Sequence, residues 1–144
     1  MLTEVTATPG DLIIHMESPQ FCLFSAIIRN GTASSRTLDD VCGYPLKAGS
    51  DGADYKLAVA GDEASVTALL VQGPNGRDSE VIAATTNSAK KWTVLKNPPA
   101  IINKSKIRTT DIAGASFNIA NIVTALRALK FEVREESDKE ETLA

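Results

Sequence analysis

Trp92-Thr-Val-Leu-Lys-Asn-Pro-Pro-Ala-Ile-Ile-Asn-Lys-Ser-Lys-Ile107 is the stretch whose reading decides the fold. Trp92 to Leu95 and Ala100 to Ile102 are short, apolar and β-prone, and Pro98-Pro99 stands between them. A proline has no N–H to give a ladder and cannot continue a helix, so the pair forces a corner and the stretch reads as strand, bend, strand. Downstream, Ile119, Ile122, Val123, Leu126 and Leu129 recur at helical spacing, which predicts one main helix over about residues 117–130. Ser116 and Asn118 are rival N-caps for it, and Arg127 and Lys130 sit in the last turns, where cations suit the dipole. Phe131, Val133 and Glu135 then share one face of a last strand over about 131–135.

Working back toward the N-terminus, the chain reads as many short strands. Leu12 to Met16 has strand composition and Glu17-Ser-Pro-Gln20 is a turn. Phe21 to Ile28 is apolar on both faces, which suits a central strand, and Asn30-Gly31 behind it is a type I′ turn signal that predicts a hairpin. From Thr32 to Asp54 the chain is rich in Ser, Thr, Asp and Gly, with Val41 to Leu46 as its one apolar patch. Tyr55 to Ala60, Val66 to Val71 and Glu80 to Ala84 are further strand candidates, and Thr85 to Lys91 is a polar connection. The expected class is α+β, mostly β: a compact single domain of many short strands with one main helix. No internal repeat or shift in composition marks a second domain.

Composition narrows the function. The 144 residues are 43% hydrophobic and 23% charged, with a formal net charge of −3 and no basic block, so binding to nucleic acid by phosphate neutralisation is not expected. Phe21 to Ile28, the longest mostly apolar run, is too short to span a bilayer, and no membrane partner is expected. Met1-Leu-Thr-Glu-Val5 lacks the positive start of a secretion signal, so a protein made and kept in the cytoplasm, or released from a lysed cell, is the expectation. Cys22 and Cys42 lack the paired spacing of a zinc or redox site and read as two buried, reduced thiols.

The chemistry-bearing residues do not assemble into a motif. His15 is the only histidine, so any Ser-His or Cys-His couple must run through it, and it lies inside a strand candidate. Asp39-Asp40, Asp51 and Asp54 supply loop carboxylates without the ligand ladder or closing Glu of a calcium loop. Gly73-Pro-Asn-Gly76 is a turn and not a phosphate loop, because Pro74 removes one of the cradling amides and no Gly-Lys-Ser/Thr ending follows. Lys104, Lys106 and Arg108 read as a strand edge protected by charge. We therefore expect no catalytic residue, no metal and no cofactor.

The order of the pieces is more informative than any one of them. Gly10-Asp-Leu-Ile-Ile14 with Glu17-Ser-Pro19, Gly43-Tyr-Pro-Leu46, Ala68-Leu-Leu-Val-Gln-Gly-Pro74, Pro99 to Ile107, Ile122 to Leu129 and Phe131 to Glu136 follow one another through roughly two-thirds of the chain. In that order they resemble the lambda-type head decoration proteins of tailed bacteriophages. The resemblance implies a β-tulip-like fold and a non-enzymatic homotrimer. The trimer would sit on the outer surface of the expanded head, at threefold and quasi-threefold positions, and hold it against internal DNA pressure. The implied partner is the major capsid protein. On this reading residues 1–9 are a capsid-binding arm, residues 10–135 the β-rich decoration domain and residues 136–144 an acidic disordered tail. Residues 75–97 are an insertion expected to decorate an outer face. The arm residues Leu2, Thr3, Glu4, Val5, Thr6, Ala7 and Thr8 are Thr-rich and β-prone, suited to adding a strand to a capsid sheet edge. Three such arms on one heterologous, ring-closed trimer would act together. The alternative is a β-rich adhesin or ligand-binding module of a virion or cell surface.

Overall fold

The structure, a computed structural model, describes residues 12–32, 37–38, 41–74, 80–81 and 84–135; the arm residues Leu2 to Thr8 and the tail 136–144 lie outside the described residues. In chain order the strands are β1 (Ile13–Met16), β2 (Leu23–Ala26), β3 (Ile28–Asn30), β4 (Thr37–Leu38), β5 (Pro45–Ala48), β6 (Tyr55–Leu57), β7 (Val66–Gln72), β8 (Glu80–Val81), β9 (Thr86–Asn87), β10 (Trp92–Leu95), β11 (Ala100–Asn103) and β12 (Glu132–Arg134). A single helical turn, α1 (Pro19–Cys22), follows β1, and α2 (Ile119–Ala128) is the main helix.

The Pro98-Pro99 corner separates two strands as expected and sends them into different sheets. β10 lies in the larger sheet, whose order is β2-β10-β7-β5-β6-β3-β9, while β11 is the centre of the sheet β1-β11-β12. β1 runs antiparallel to β11 and β12 runs parallel to it. A parallel pair needs a long crossover, and the 3-10 turn Lys104–Lys106, a loop and α2 supply it. β4 and β8 form a separate two-stranded ladder. The class is α+β, mostly β, in one domain with one main helix.

A contiguous core lies between these layers. β7 carries it, with Val66, Ala68, Leu69, Leu70 and Val71 all buried, the signature of a strand covered on both faces. Trp92, Val94 and Leu95 of β10 pack beside it, and Ile122, Val123 and Leu126 of α2 close it. Burial at this scale contributes about 1.5–3 kcal/mol per large side chain, and α2 holds its place by its packing against β7, β12 and the 3-10 turn Glu63–Ser65.

Local chemistry sets the ends of α2. Asn118 is the N-cap, its Oδ1 accepting the Asn121 N–H at 3.2 Å, while Ser116 is left in an isolated bridge to Thr110. At the other end the Lys130 N–H reaches Arg127 O and the Phe131 N–H reaches Leu126 O, the two bonds of a Schellman ending. That ending needs a left-handed residue, and Lys130 supplies it at φ 79° without being glycine. Leu129, the last member of the sequence stripe, falls beyond the helix and is 36% exposed.

Several expectations are corrected. Phe21 to Ile28 is not one central strand: Pro19 opens α1, which takes up Phe21 and Cys22, and the chain breaks again at Ile27. The break has a cause, because the Ile27 N–H is taken by Asp54 Oδ2 at 2.9 Å and its carbonyl accepts the N–H groups of Asp54 and Tyr55. β2 is consequently an edge strand. Asn30-Gly31 does not turn a hairpin; β3 pairs with β6 and β9. The buried Asn30 instead closes a side-chain turn on the Thr32 N–H (3.0 Å) and Oγ1 (2.6 Å). Lys104 to Lys106 form a 3-10 turn capped by Asn103, not a strand edge. Finally, Trp92 to Leu95, the end of the 75–97 segment expected to decorate an outer face, lies between β2 and β7 with Trp92 1% exposed. Three large apolar residues in four positions are better covered on both sides than left on a surface.

Candidate functional site

Polar side chains meet at one place inside the fold. Tyr44 donates its hydroxyl to Ala58 O at 2.7 Å and accepts the Ile112 N–H at 3.0 Å. Asp111 Oδ1 accepts the N–H groups of Ala113 (2.9 Å) and Ala115 (2.8 Å), and its Oδ2 accepts that of Ala60 (3.0 Å). Glu63 Oε1 accepts the Gly61 N–H at 2.9 Å and its Oε2 the Asn118 N–H at 2.9 Å. Phe117 packs edge-on against the Tyr44 ring at 5.8 Å.

The electrostatics follow from these partners. Burial pushes the Tyr44 phenol far above its ordinary value, so it stays protonated. The Asn118 N–H, with further backbone N–H donors, holds Glu63 below the usual carboxylate range. These are carboxylates satisfied by the backbone and a phenol locked in both directions. They hold loops to the start of α2. Sequence reading passed over Tyr44, Glu63 and Asp111, because their partners lie far away in the chain. Only the local part had a signal, Asp111-Ile-Ala-Gly-Ala115, where an Asp precedes a tight turn.

The candidates singled out by sequence do not converge. His15 is exposed on β1. Cys22 and Cys42 are buried and unbridged, and the Cys22 Sγ–H donates to Pro99 O at 3.4 Å. Asp54 is occupied at Ile27, and the exposed Asp51 has its Oδ2 3.8 Å from Nε of the half-buried Arg29. Asp39-Asp40 lie outside the described residues. Among the described residues no group of His, Cys, Asp and Glu gathers in the manner of a metal site, and no helix is long and apolar enough to cross a membrane. Lys104 pairs with Glu135 at 3.0 Å, whereas Arg108 donates to Thr110 O at 3.0 Å and lies over the Tyr44 ring, so the basic cluster is divided among separate partners.

What the fold exposes is an apolar edge. Phe21 of α1 is 59% exposed and Phe24 of β2 is 40% exposed, and Lys96 Nζ stands 4.3 Å from the Phe24 ring centroid. Among the described residues β2 pairs with β10 alone. The Lys96 N–H bonds Cys22 O; with Phe24 opposite Val94, antiparallel alternation turns the Ser25 N–H and C=O to the free edge. An unpaired edge flanked by two aromatic rings and an ammonium has the elements of a strand-addition or subunit contact. The sequence held its signal in Phe21 and Phe24, masked by reading the run as a central strand. No known protein family, curated protein or solved structure matches the chain.

Proposed function

We propose that this chain is a capsid decoration protein of a tailed bacteriophage, acting as a homotrimer on the outer surface of the virion head. There it binds the major capsid protein and stabilises the expanded shell without catalysing a reaction. One observation carries the reading: the six stretches with family-like order supply the framework of the fold. They fall on β1, the buried entry to β5, β7, β11, α2 and β12. Three of those strands form one sheet, and α2 packs against β7 and β12. The polar centre supports a mechanical role, since Tyr44, Asp111 and Glu63 are all engaged in holding backbone.

The partner surfaces follow from the same reading. Residues Leu2 to Thr8 lie just ahead of β1 and serve as the arm that adds to a capsid sheet edge. A heterologous ring needs two different patches per subunit, and the Phe21–Phe24 edge is assigned to the neighbouring copy, since aromatic anchors dominate such contacts. Mixing the purified protein with expanded and unexpanded phage shells, then sedimenting and imaging them, tests the proposal. Binding to expanded shells alone is expected, with loss of binding when residues 1–9 are deleted. A monomer by light scattering at micromolar concentration would contradict it.

A further inference from the structure

A groove of about 250 Å³ lies between α2 and β12. Val123, Thr124 and Arg127 line it from α2, Val133 from β12, and Lys104 and Glu135 complete it. The two cations are held in place: Arg127 Nη2 donates to Val133 O at 3.0 Å and Lys104 Nζ to Glu135 Oε1 at 3.0 Å. With Lys104 shared with Glu135, the lining carries a formal net charge of +1, and an anion in this groove would meet Arg127 first, beside the apolar side chains of Val123 and Val133.

The chain itself delivers anions to that spot. Residues 136–144 follow Glu135, which lines the groove, so they start at its mouth. They carry Glu136, Asp138, Glu140 and Glu141 against Lys139, a net −3. Of the chain's 15 cations and 18 anions the tail holds one and four, leaving 14 of each in residues 1–135. The formal net charge of the protein thus resides in its last nine residues, attached beside Lys104 and Arg127.

We propose that residues 136–144 bind back into the α2–β12 groove of their own copy, with the first tail carboxylates facing Lys104 and Arg127. The groove is thereby a receptor for an acidic, extended segment, and the tail is its resident occupant. An acidic strand of another protein gains the groove only by displacing it. Exposed ion pairs are individually weak, but a short tether holds the tail at an effective concentration on the order of millimolar, so a free-peptide Kd of about 1 mM gives roughly half occupancy. This inference is independent of the capsid reading, and either can fail alone.

The test uses amide NMR of the full chain and of a chain ending at Glu135, at low salt. Truncation should shift the Val123, Thr124 and Val133 amides, and a peptide of residues 136–144 added to the short chain should return them. Raising salt to about 0.5 M, where the Debye length falls to roughly 4 Å, should move the full-length amides toward their truncated positions without any mutation. Arg127→Glu should weaken peptide binding at least tenfold. Superimposable spectra of the long and short chains at these amides would overturn the proposal. So would tail-dependent shifts that persist unchanged at high salt, or ones that vanish on dilution and so belong to another copy's tail.

Discussion

Leu126 and Leu129 stand three residues apart in the same apolar stripe, and the structure gives them opposite fates. Leu126 is 0% exposed, in the core cluster with Ile122 and Val123, whereas Leu129 is 36% exposed beyond the end of α2. Leu126→Ala removes buried methyl groups and leaves a cavity, a cost of about 2–5 kcal/mol. Leu126→Asp adds a buried carboxylate with no cation opposite, which raises the cost above about 4 kcal/mol. A domain of this kind holds about 5–15 kcal/mol in total. Leu126→Asp should therefore lose roughly a quarter or more of that stability and melt below Leu126→Ala, which should itself melt roughly 5–15 °C below the parent protein. Leu129→Asp should stay within about 1 kcal/mol of it. Trp92, the only tryptophan, is buried in β10 and reports unfolding by its fluorescence alongside far-UV circular dichroism in a urea titration. Equal midpoints for Leu126→Asp and Leu129→Asp would refute the placement of the helix end, and a parent-like Leu126→Asp would refute the packing of α2.

Four further outcomes follow. Lys130→Gly, relieving the positive φ of the Schellman ending, should raise the urea midpoint by the equivalent of up to about 1 kcal/mol; a lower midpoint would argue against that ending. Tyr44→Phe orphans Ala58 O and the Ile112 N–H, and calorimetry should find it about 2–4 kcal/mol less stable. For pH, Glu63 is held low by the Asn118 N–H first, and Asp62, which its burial alone would raise, is held low overall by the Lys47 and Val59 hydrogen bonds together with the nearby lysine charges. Carboxylates depressed in the fold stabilise it above their unfolded values of about 4 and lose that contribution as pH falls through the folded values. Urea midpoints should thus be level above about pH 5 and drop in acid, and Glu63→Gln should lower the pH 7 midpoint and flatten the acid limb; an unchanged acid limb would remove Glu63 from the account. If the proposed trimer closes through the β2 edge, Phe21→Ser with Phe24→Ser should shift light scattering from trimer to monomer while far-UV circular dichroism keeps the parent spectrum, and an intact trimer would free that edge from its assigned role.

The parts of the fold that could be read from sequence are those whose cause is local. Val66 to Val71, Trp92 to Leu95, Ala100 to Ile102 and the α2 stripe carry their own periodicity or β-prone runs, and all four form where the pattern puts them. The misread parts have distant causes. Ile27 is pulled out of its strand by Asp54, and the Ile28 N–H is taken by Ser88 Oγ at 3.0 Å, so a run that looks continuous is cut by residues met much later. The same holds for the polar centre, where Glu63 reaches Asn118 and Tyr44 reaches Ile112. Residue composition shows that Phe21 and Phe24 are apolar, yet only the sheet order reveals that they sit on an edge.

The position of β10 between β2 and β7 also bears on how the protein is made. Leu23 to Ala26 pair with Trp92 to Leu95, about 70 residues later, so β2 waits several seconds for its partner at a synthesis rate of about 5–20 residues per second. During that interval β7 and β5 can pair with each other, but the face they reserve for Trp92 stays open to water and to other nascent chains. A ribosome translating this message therefore carries an unfinished sheet until residue 95 has cleared the exit tunnel. Slower translation before Trp92 would lengthen that exposure.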